Sequence, residues 1–371
     1  MSNDSDAAPI AGNKQFPCVQ CGAKLDYAPG TSSLQCPYCG AQTQIPQSED
    51  QILELDFHTQ LAKAAAAQET QEAHRVKCDK CGAETTMPPE QAAGSCPFCG
   101  ASLIITTRTS RLIKPQALLP FGITQSQGFE RFRRWIQRLW FAPNDLKKFA
   151  RAEGKLAGIY VPFWTYDSDT TSFYRGARGD DYWVTESYTV NENGRHVTRT
   201  RQVRRTRWTN VSGTVWNQFD DVLVMASNSL PRKYADRLEP WDLERLVPYA
   251  DEFLSGFRAE SYQVDLGAGF ELARGVMDEG IRASIRGDIG GDHQRIDSVK
   301  TSYDHITFKH ILLPVWLSSY RYREKIYRIL INARTGELQG ERPYSAWKIA
   351  AAALAAILII AAIIVIGSLN R

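Results

Sequence analysis

Cys18-Val19-Gln20-Cys21-Gly22 and Cys36-Pro37-Tyr38-Cys39-Gly40 stand near the start of the chain. Sixty positions on, Cys78-Asp79-Lys80-Cys81-Gly82 and Cys96-Pro97-Phe98-Cys99-Gly100 restate them. Each set reads C-x2-C, an intervening fourteen residues, then C-P-[YF]-C-G, and together they use all eight cysteines. Two short turns that each supply two thiolates match a closed tetrahedral Zn²⁺ site. The glycine after each pair suits a turn that needs positive φ. A disulfide framework would require an oxidising compartment, and residues 1–15 are polar without the apolar stretch of a signal peptide. The expectation is therefore two tandem zinc ribbons, at 16–45 and 77–106, holding two Zn²⁺ per chain. A closed four-thiolate site supplies folding free energy and leaves no coordination position for a substrate, so the metal is structural.

The other end of the chain reads as clearly. Residues 349–367 contain only Ala, Ile, Leu, Val and Gly, without one charge. As a helix they span about 28 Å, close to the hydrocarbon thickness of a bilayer. Trp347 and Lys348 precede them as an aromatic and a cationic anchor. A single transmembrane helix over 347–367 is expected, with the bulk of the chain on the cytoplasmic side of the inner membrane, where reduced thiolates also belong. Arg342 and Lys348 against Arg371 agree with that orientation.

Between these ends, 371 residues leave room for two or three domains. With 44 basic and 41 acidic residues, the balance gives no overall polyanion-binding character. Residues 1–15 read as disordered. Over 46–76, Ser48 with Gln51 has the form of a capping box, and Leu53, Phe57 and Leu61 recur every fourth residue, which predicts a helical linker. Residues 112–345 form the remaining domain, and a faint duplication runs through it. Leu118-Leu119-Pro120-Phe121 resembles Leu246-Val247-Pro248-Tyr249. Tyr160-Val161-Pro162-Phe163-Trp164 resembles Leu312-Leu313-Pro314-Val315-Trp316. Each interval holds a helical pattern, with Phe132, Trp135, Ile136 and Leu139 on one face in the first and residues 270–286 in the second. The fold class is α+β multidomain: two ribbons, an antiparallel-sheet domain with internal duplication, and one C-terminal transmembrane helix.

Residues 182–190 and 197–208 flank Asn193-Gly194 as a hairpin. Six arginines, Arg195, Arg199, Arg201, Arg204, Arg205 and Arg207, lie along its second strand without an acid among them. Strand alternation puts Arg199, Arg201, Arg205 and Arg207 on one face and Arg204 on the other. Three readings stay open: a solvated hairpin paired with Asp180, Asp181 and Glu186; a surface for lipid headgroups or an acidic protein; or contact with nucleic-acid phosphates. The Asp288–Arg295 segment is read as a Gly-Gly turn between helix and strand. His305 and His310, five apart on a strand, point to opposite faces. The chain contains no phosphate-binding Gly-x4-Gly-Lys-[Ser/Thr] loop, no G-x-S-x-G elbow and no H-E-x-x-H. No catalytic residues are assigned, and the chain is not expected to be an enzyme.

The stretches LIKPQALLPF (112–121), LWFAPNDL (139–146), GIYVPFWTY (158–166), 288–296 and TFKHILLPVW (307–316), together with the cysteines, resemble a family of bacterial TFIIB-type zinc-ribbon membrane proteins. Members are often labelled as relatives of primosomal protein N′, the replication-restart helicase. Some are associated with phage-shock protein A and with stomatin/flotillin-like proteins. The resemblance implies a tail-anchored adaptor, in contact with the bilayer, that recruits such envelope-stress partners. The alternative is a membrane-tethered nucleic-acid-binding protein without a helicase motor.

Overall fold

The computed structural model describes residues 16–46, 51–66, 73–77, 84–87, 93–95, 102–104, 109–110, 113–144, 146, 156–192, 195–322 and 325–369. The first cysteine motif folds as its turn chemistry requires. Gly22 and Gly40, at φ of 75° and 77°, close two matching turns. Gly22 N donates to Cys18 O (2.8 Å) and Gly40 N to Cys36 O (3.0 Å). A Cβ at either position would strain the backbone even though space is free around it. Strands β1 (Asp26–Tyr27), β2 (Ser33–Gln35) and β3 (Gln42–Gln44) complete this unit as an antiparallel sheet.

The next segment departs from its predicted form. Helix α1 (Phe57–Ala66) starts later than the Ser48–Gln51 signal suggested, with the Asp56 carboxylate accepting from Thr59 N at 2.7 Å. The cause is β4 (Leu55–Asp56), which pairs with Phe308 and Thr307, so the chain is committed to a sheet edge before it can turn helical. Ser48 itself lies outside the described residues, as do residues 1–15.

Strands β5 (Ala73–Lys77), β6 (Glu84–Met87), β7 (Ala93–Ser95), β8 (Ser102–Ile104) and β9 (Thr109–Ser110) follow. In β7–β8 the register is Ala93↔Ile104, Gly94↔Leu103 and Ser95↔Ser102. This is the β2–β3 register, Ser33↔Gln44, Leu34↔Thr43 and Gln35↔Gln42, moved by sixty. The backbone thus repeats with the period of the cysteines. Cys78, Cys81, Cys96 and Cys99 themselves lie outside the described residues.

The large sheet runs in the order β12 (Arg195–Met225), β11 (Ala157–Glu192), β15 (His293–Tyr322), β10 (Ala117–Leu118) and β13 (Val247–Pro248). Strand β14 (Arg258–Ala259) pairs with the start of β11, while β16 (Lys325–Asn332) and β17 (Leu338–Gly340) extend the sheet from β15. The duplicated motifs meet each other in it. Ala117 and Leu118 pair with Pro248 and Val247. The two Pro-x-Trp segments pair as Tyr160↔Pro314 and Pro162↔Leu312, so Val161↔Leu313 sits at a local two-fold.

Helices cover both faces of this sheet. Helix α2 (Gln125–Arg138) begins at a capping box, Gln127 N donating to Thr124 Oγ1 and Thr124 N to Gln127 Oε1, and it buries Phe132 and Ile136. The short α3 (Arg232–Ala235) buries Ala235 on the opposite face, against Val161 and Phe163. Helix α4 (Leu266–Ile289) is capped by Asp265 and lays Phe270, Ala273, Met277, Ile281 and Ile285 over Tyr166 and Tyr174. It passes through Gly287 and stops at Gly290, because the apolar stripe continues to Ile289. Helix α5 (Ala346–Leu369) follows β17. Its segment Ala346–Ile366 is long and apolar enough to cross a membrane and none of it is buried in the protein.

Past Gly179↔His293 the third strand ends, and β11 and β12 continue alone from Asp180↔Arg207 to Glu192↔Arg195. At about 3.3 Å per residue this two-stranded arm is roughly 40 Å long. Its turn residues Asn193 and Gly194 lie outside the described residues.

Candidate metal centre and basic arm

The two turns bring Cys18, Cys21, Cys36 and Cys39 together, with all four sulfurs within 4.8 Å of one another. Cys18 Sγ lies 3.6 Å from Cys39 Sγ, and Cys21 Sγ lies 3.5 Å from Cys36 Sγ. A tetrahedron of thiolates at about 2.3 Å from a metal has edges of about 3.8 Å, so the spacing fits a four-coordinate ion. Ionisation points the same way. The backbone N–H groups of Cys39 and Tyr38 hold the Cys36 thiol down to about 6, and those of Gln20 and Cys21 lower Cys18. The Ala23 N–H acts likewise on Cys21, but the Cys36 and Cys39 sulfurs outweigh it and push that thiol up to about 12. At Cys39 the Ala41 N–H is likewise overcome by burial and the neighbouring sulfurs. Two thiols are thus lowered and two raised, a conflict that a cation among the four sulfurs would relieve.

This cluster is not a freestanding knuckle. Cys18, Cys36, Leu25, Tyr27 and Leu34 are buried in one hydrophobic cluster with Phe121, Phe132, Phe253 and Trp316. Backbone bonds sew the joint: Tyr27 N to Ser255 O (2.9 Å) and Gly30 N to Phe121 O (2.8 Å). Ser255 Oγ donates to Leu25 O at 2.6 Å across the interface. Tyr27 also packs edge-on against Phe253, with ring centroids 5.2 Å apart.

On the arm, the register sorts the arginines. Arg195, Arg199, Arg201, Arg205 and Arg207 stand opposite Glu192, Tyr188, Glu186, Tyr182 and Asp180, all on one face, while Arg204 stands opposite Trp183 on the other. That first face is half ionic and half aromatic. Arg201 and Arg205 share Glu186, at 3.3 and 2.5 Å. Arg201 also lies over the Tyr188 ring and Arg207 over Tyr182. Arg205 and Arg201 hold the Glu186 carboxyl below the usual range. On the second face Arg204 pairs with Asp181 at 3.2 Å. The Thr206 hydroxyl, donating to that carboxylate at 2.6 Å, does most to keep it ionised. Four acids, Asp180, Asp181, Glu186 and Glu192, offset six arginines, so the arm carries an amphipathic face more than a bare positive one.

Two further groups occupy the positions the sequence suggested. Within the Asp288–Arg295 segment, Gly290, Gly291 and Asp292 make the turn between α4 and β15, with Gly290 and Gly291 at φ of 63° and 73°; Asp292 Oδ2 accepts from Asp181 N, and the His293 ring adjoins the Asp181 carboxylate. His305 is exposed beside Asp169, whereas His310 is buried, held below its usual range at about 4 by desolvation, and adjoins the Ile113 carbonyl at 2.8 Å.

A site that sequence reasoning missed lies where β11 bulges at Asp167. The carboxylates of Glu54, Asp167 and Asp220 converge within 4.8 Å. The buried Lys309 ammonium bonds Glu54 at 2.9 Å and Asp221 at 2.7 Å, which supplies an internal counter-charge. Asp220-Asp221 is a visible carboxylate pair in the sequence, but Glu54, Asp167 and Lys309 lie far from it and only the fold collects them.

Over 341 residues, spanning 91% of this chain and 92% of the relative, the chain is 27% identical to the uncharacterized protein YdjG of Bacillus subtilis (strain 168). No family model and no solved structure matches it.

Proposed function

We propose that the chain is a non-enzymatic adaptor, anchored in the inner membrane by α5, that holds cytoplasmic partners at the bilayer. Zinc is the metal of the first cluster, and Cys78, Cys81, Cys96 and Cys99 bind a second Zn²⁺ in the same way. The observation that carries the reading is the joint between Leu25 and Ser255 and around Tyr27. A four-sulfur cluster whose Cys18 and Cys36 are buried in the core of a body that leads directly to an apolar helix suits a rigid platform, since four thiolate ligands leave the metal no open position for a substrate. The arm is the part with reach. Its tyrosines, valines and paired arginines suit a protein surface bearing carboxylates, and phage-shock protein A-like or stomatin/flotillin-like proteins are the expected class of partner. Arg201, Arg204, Arg205 and Arg207 are engaged by acids or rings, which favours a protein partner over a phosphate backbone.

The test is photo-crosslinking in cells from arm positions of the anchored protein, followed by identification of the attached species. Envelope-stress or membrane-organising proteins are expected. Recovery of replication proteins alone, with binding to DNA or RNA that falls steeply with salt, would instead establish the membrane-tethered nucleic-acid reading.

A further inference from the structure

Helix α2 ends at Arg138 and the chain turns through Leu139-Trp140-Phe141-Ala142-Pro143-Asn144. Leu139 and Ala142 are buried, but Trp140 is 78% and Phe141 40% exposed. This turn is strapped to the first turn of α5. Ser345 N donates to Phe141 O at 2.7 Å. Lys348, which stands immediately before the apolar run, folds back so that its ammonium bonds Trp140 O (3.1 Å), Ala142 O (2.8 Å) and Asn144 Oδ1 (2.7 Å). A lysine at a membrane boundary ordinarily extends its ammonium to water or headgroups. Here it spends all three protons on a loop from a distant part of the chain. Trp347 (81% exposed) and Tyr344 (58% exposed) stand beside it.

The depth follows from the strap. Ser345 and Ile349 are four helical residues apart, about 6 Å along the axis. A loop bonded to Ser345 and Lys348 is therefore held at the level where α5 would enter hydrocarbon, and that is the level aromatic side chains prefer. Arg134 and Arg138, both exposed on the last turn of α2, share one edge leading to the loop and suit anionic headgroups.

We propose that Trp140 and Phe141 insert into the lipid headgroup interface as a second membrane contact, held at that depth by Lys348. The inference rests on the reading of α5 as a membrane span and goes beyond it. One helix alone leaves the body free to swivel and tilt, whereas two contacts fix its orientation and so fix where the arm points.

The full chain is reconstituted in vesicles of phosphatidylcholine and phosphatidylglycerol. Benzoylphenylalanine, a photo-crosslinking residue, replaces Trp140, Phe141, Trp347 or the arm residue Trp183 one at a time. Metal content and near-ultraviolet circular dichroism check that each variant is folded. Lipid adducts are expected at 140 and 141 within about threefold of the yield at 347, with none at 183. Lys348→Met, which keeps the apolar stem and removes the strap, lowers the yield at 140 and 141 several-fold while 347 is unchanged. Adducts at 347 without any at 140 and 141 would overturn the proposal and leave the span intact. Silence at 347 as well would overturn the span and this proposal with it.

Discussion

The Lys309 ammonium lies 2.7 Å from the carboxylate of Asp221, a residue whose backbone is left-handed at φ 52°. Asp221 N in turn donates to Asp167 Oδ1 at 2.6 Å, at the bulge where β11 slips register against both neighbours. His305, the other non-glycine residue with positive φ among the described residues, sits on β15 at the same level. Strain on both flanking strands and a buried ion cluster thus coincide at the level of the β11 bulge. Desolvation alone would lower the Lys309 ammonium; Asp221 and Glu54 outweigh it and raise its pKa. Lys309 also holds Glu54 below the carboxylate range, while burial raises Asp167 to about 6.

Removing that cation leaves several carboxylates partly buried without compensation. Lys309→Ala is expected to destabilise the fold by about 3–5 kcal/mol in denaturant titrations. Adding Asp221→Asn to it should recover part of the loss, and purely additive single and double variants would show that the two groups are not coupled.

Glu260 is buried, with Ser227 Oγ donating to it at 2.8 Å, and burial raises its carboxyl to about 7. Its folded pKa lies above the unfolded value of about 4.3, so the folded state holds the proton more tightly. Its stabilising contribution is complete below about pH 4 and is lost as pH rises to about 7, a total of about 3 kcal/mol. Glu260→Gln should therefore be more stable than the parent at pH 8 and equal to it at pH 4. His310, depressed to about 4, acts with the opposite sign but cancels in this comparison.

Metal removal should reach well beyond the ribbon, because Cys18 and Cys36 share a core with Phe121 and Trp316. Purified protein is expected to hold two zinc ions by elemental analysis. Cys36→Ser and Cys96→Ser should each lose one. Loss at Cys36 should lower the melting temperature of the whole body on the order of 10 °C. Iron, or disulfides in the native protein, would refute the assignment.

Neutralising Arg199, Arg201 and Arg205 to Gln should leave the unfolding midpoint unchanged, since exposed ion pairs contribute little. The same triple variant should lose most of the partner recovered by crosslinking. Unchanged recovery would move the docking surface away from this face of the arm.

What the sequence made legible follows from which residues repeat. The cysteine spacing exposed the first four-cysteine cluster, and the Pro-x-Trp pair marked the strands that cross at Val161 and Leu313. The central part of β11 was hidden. Its inward positions over α4 are Ser168, Thr170 and Ser172, all buried and polar, so the alternation of apolar residues that announces a strand is missing there. The hairpin consequently read as two short strands, when it is the end of a pair of 36 and 31 residues. The Lys309 cluster was invisible for another reason: its acids come from residues 54, 167, 220 and 221 and meet only through bulges.

The joint at Ser255 and Leu25 also sets a timetable. The two residues are 230 positions apart, whereas the Cys18–Cys39 cluster closes over 21. During synthesis the four-cysteine cluster can form almost at once, yet the surface it must dock on does not exist until two-thirds of the chain has been made. Ala333, buried in the same cluster, comes only shortly before α5. The body therefore becomes able to close only shortly before its apolar C-terminal helix is made, so the folding of the two ends falls due together.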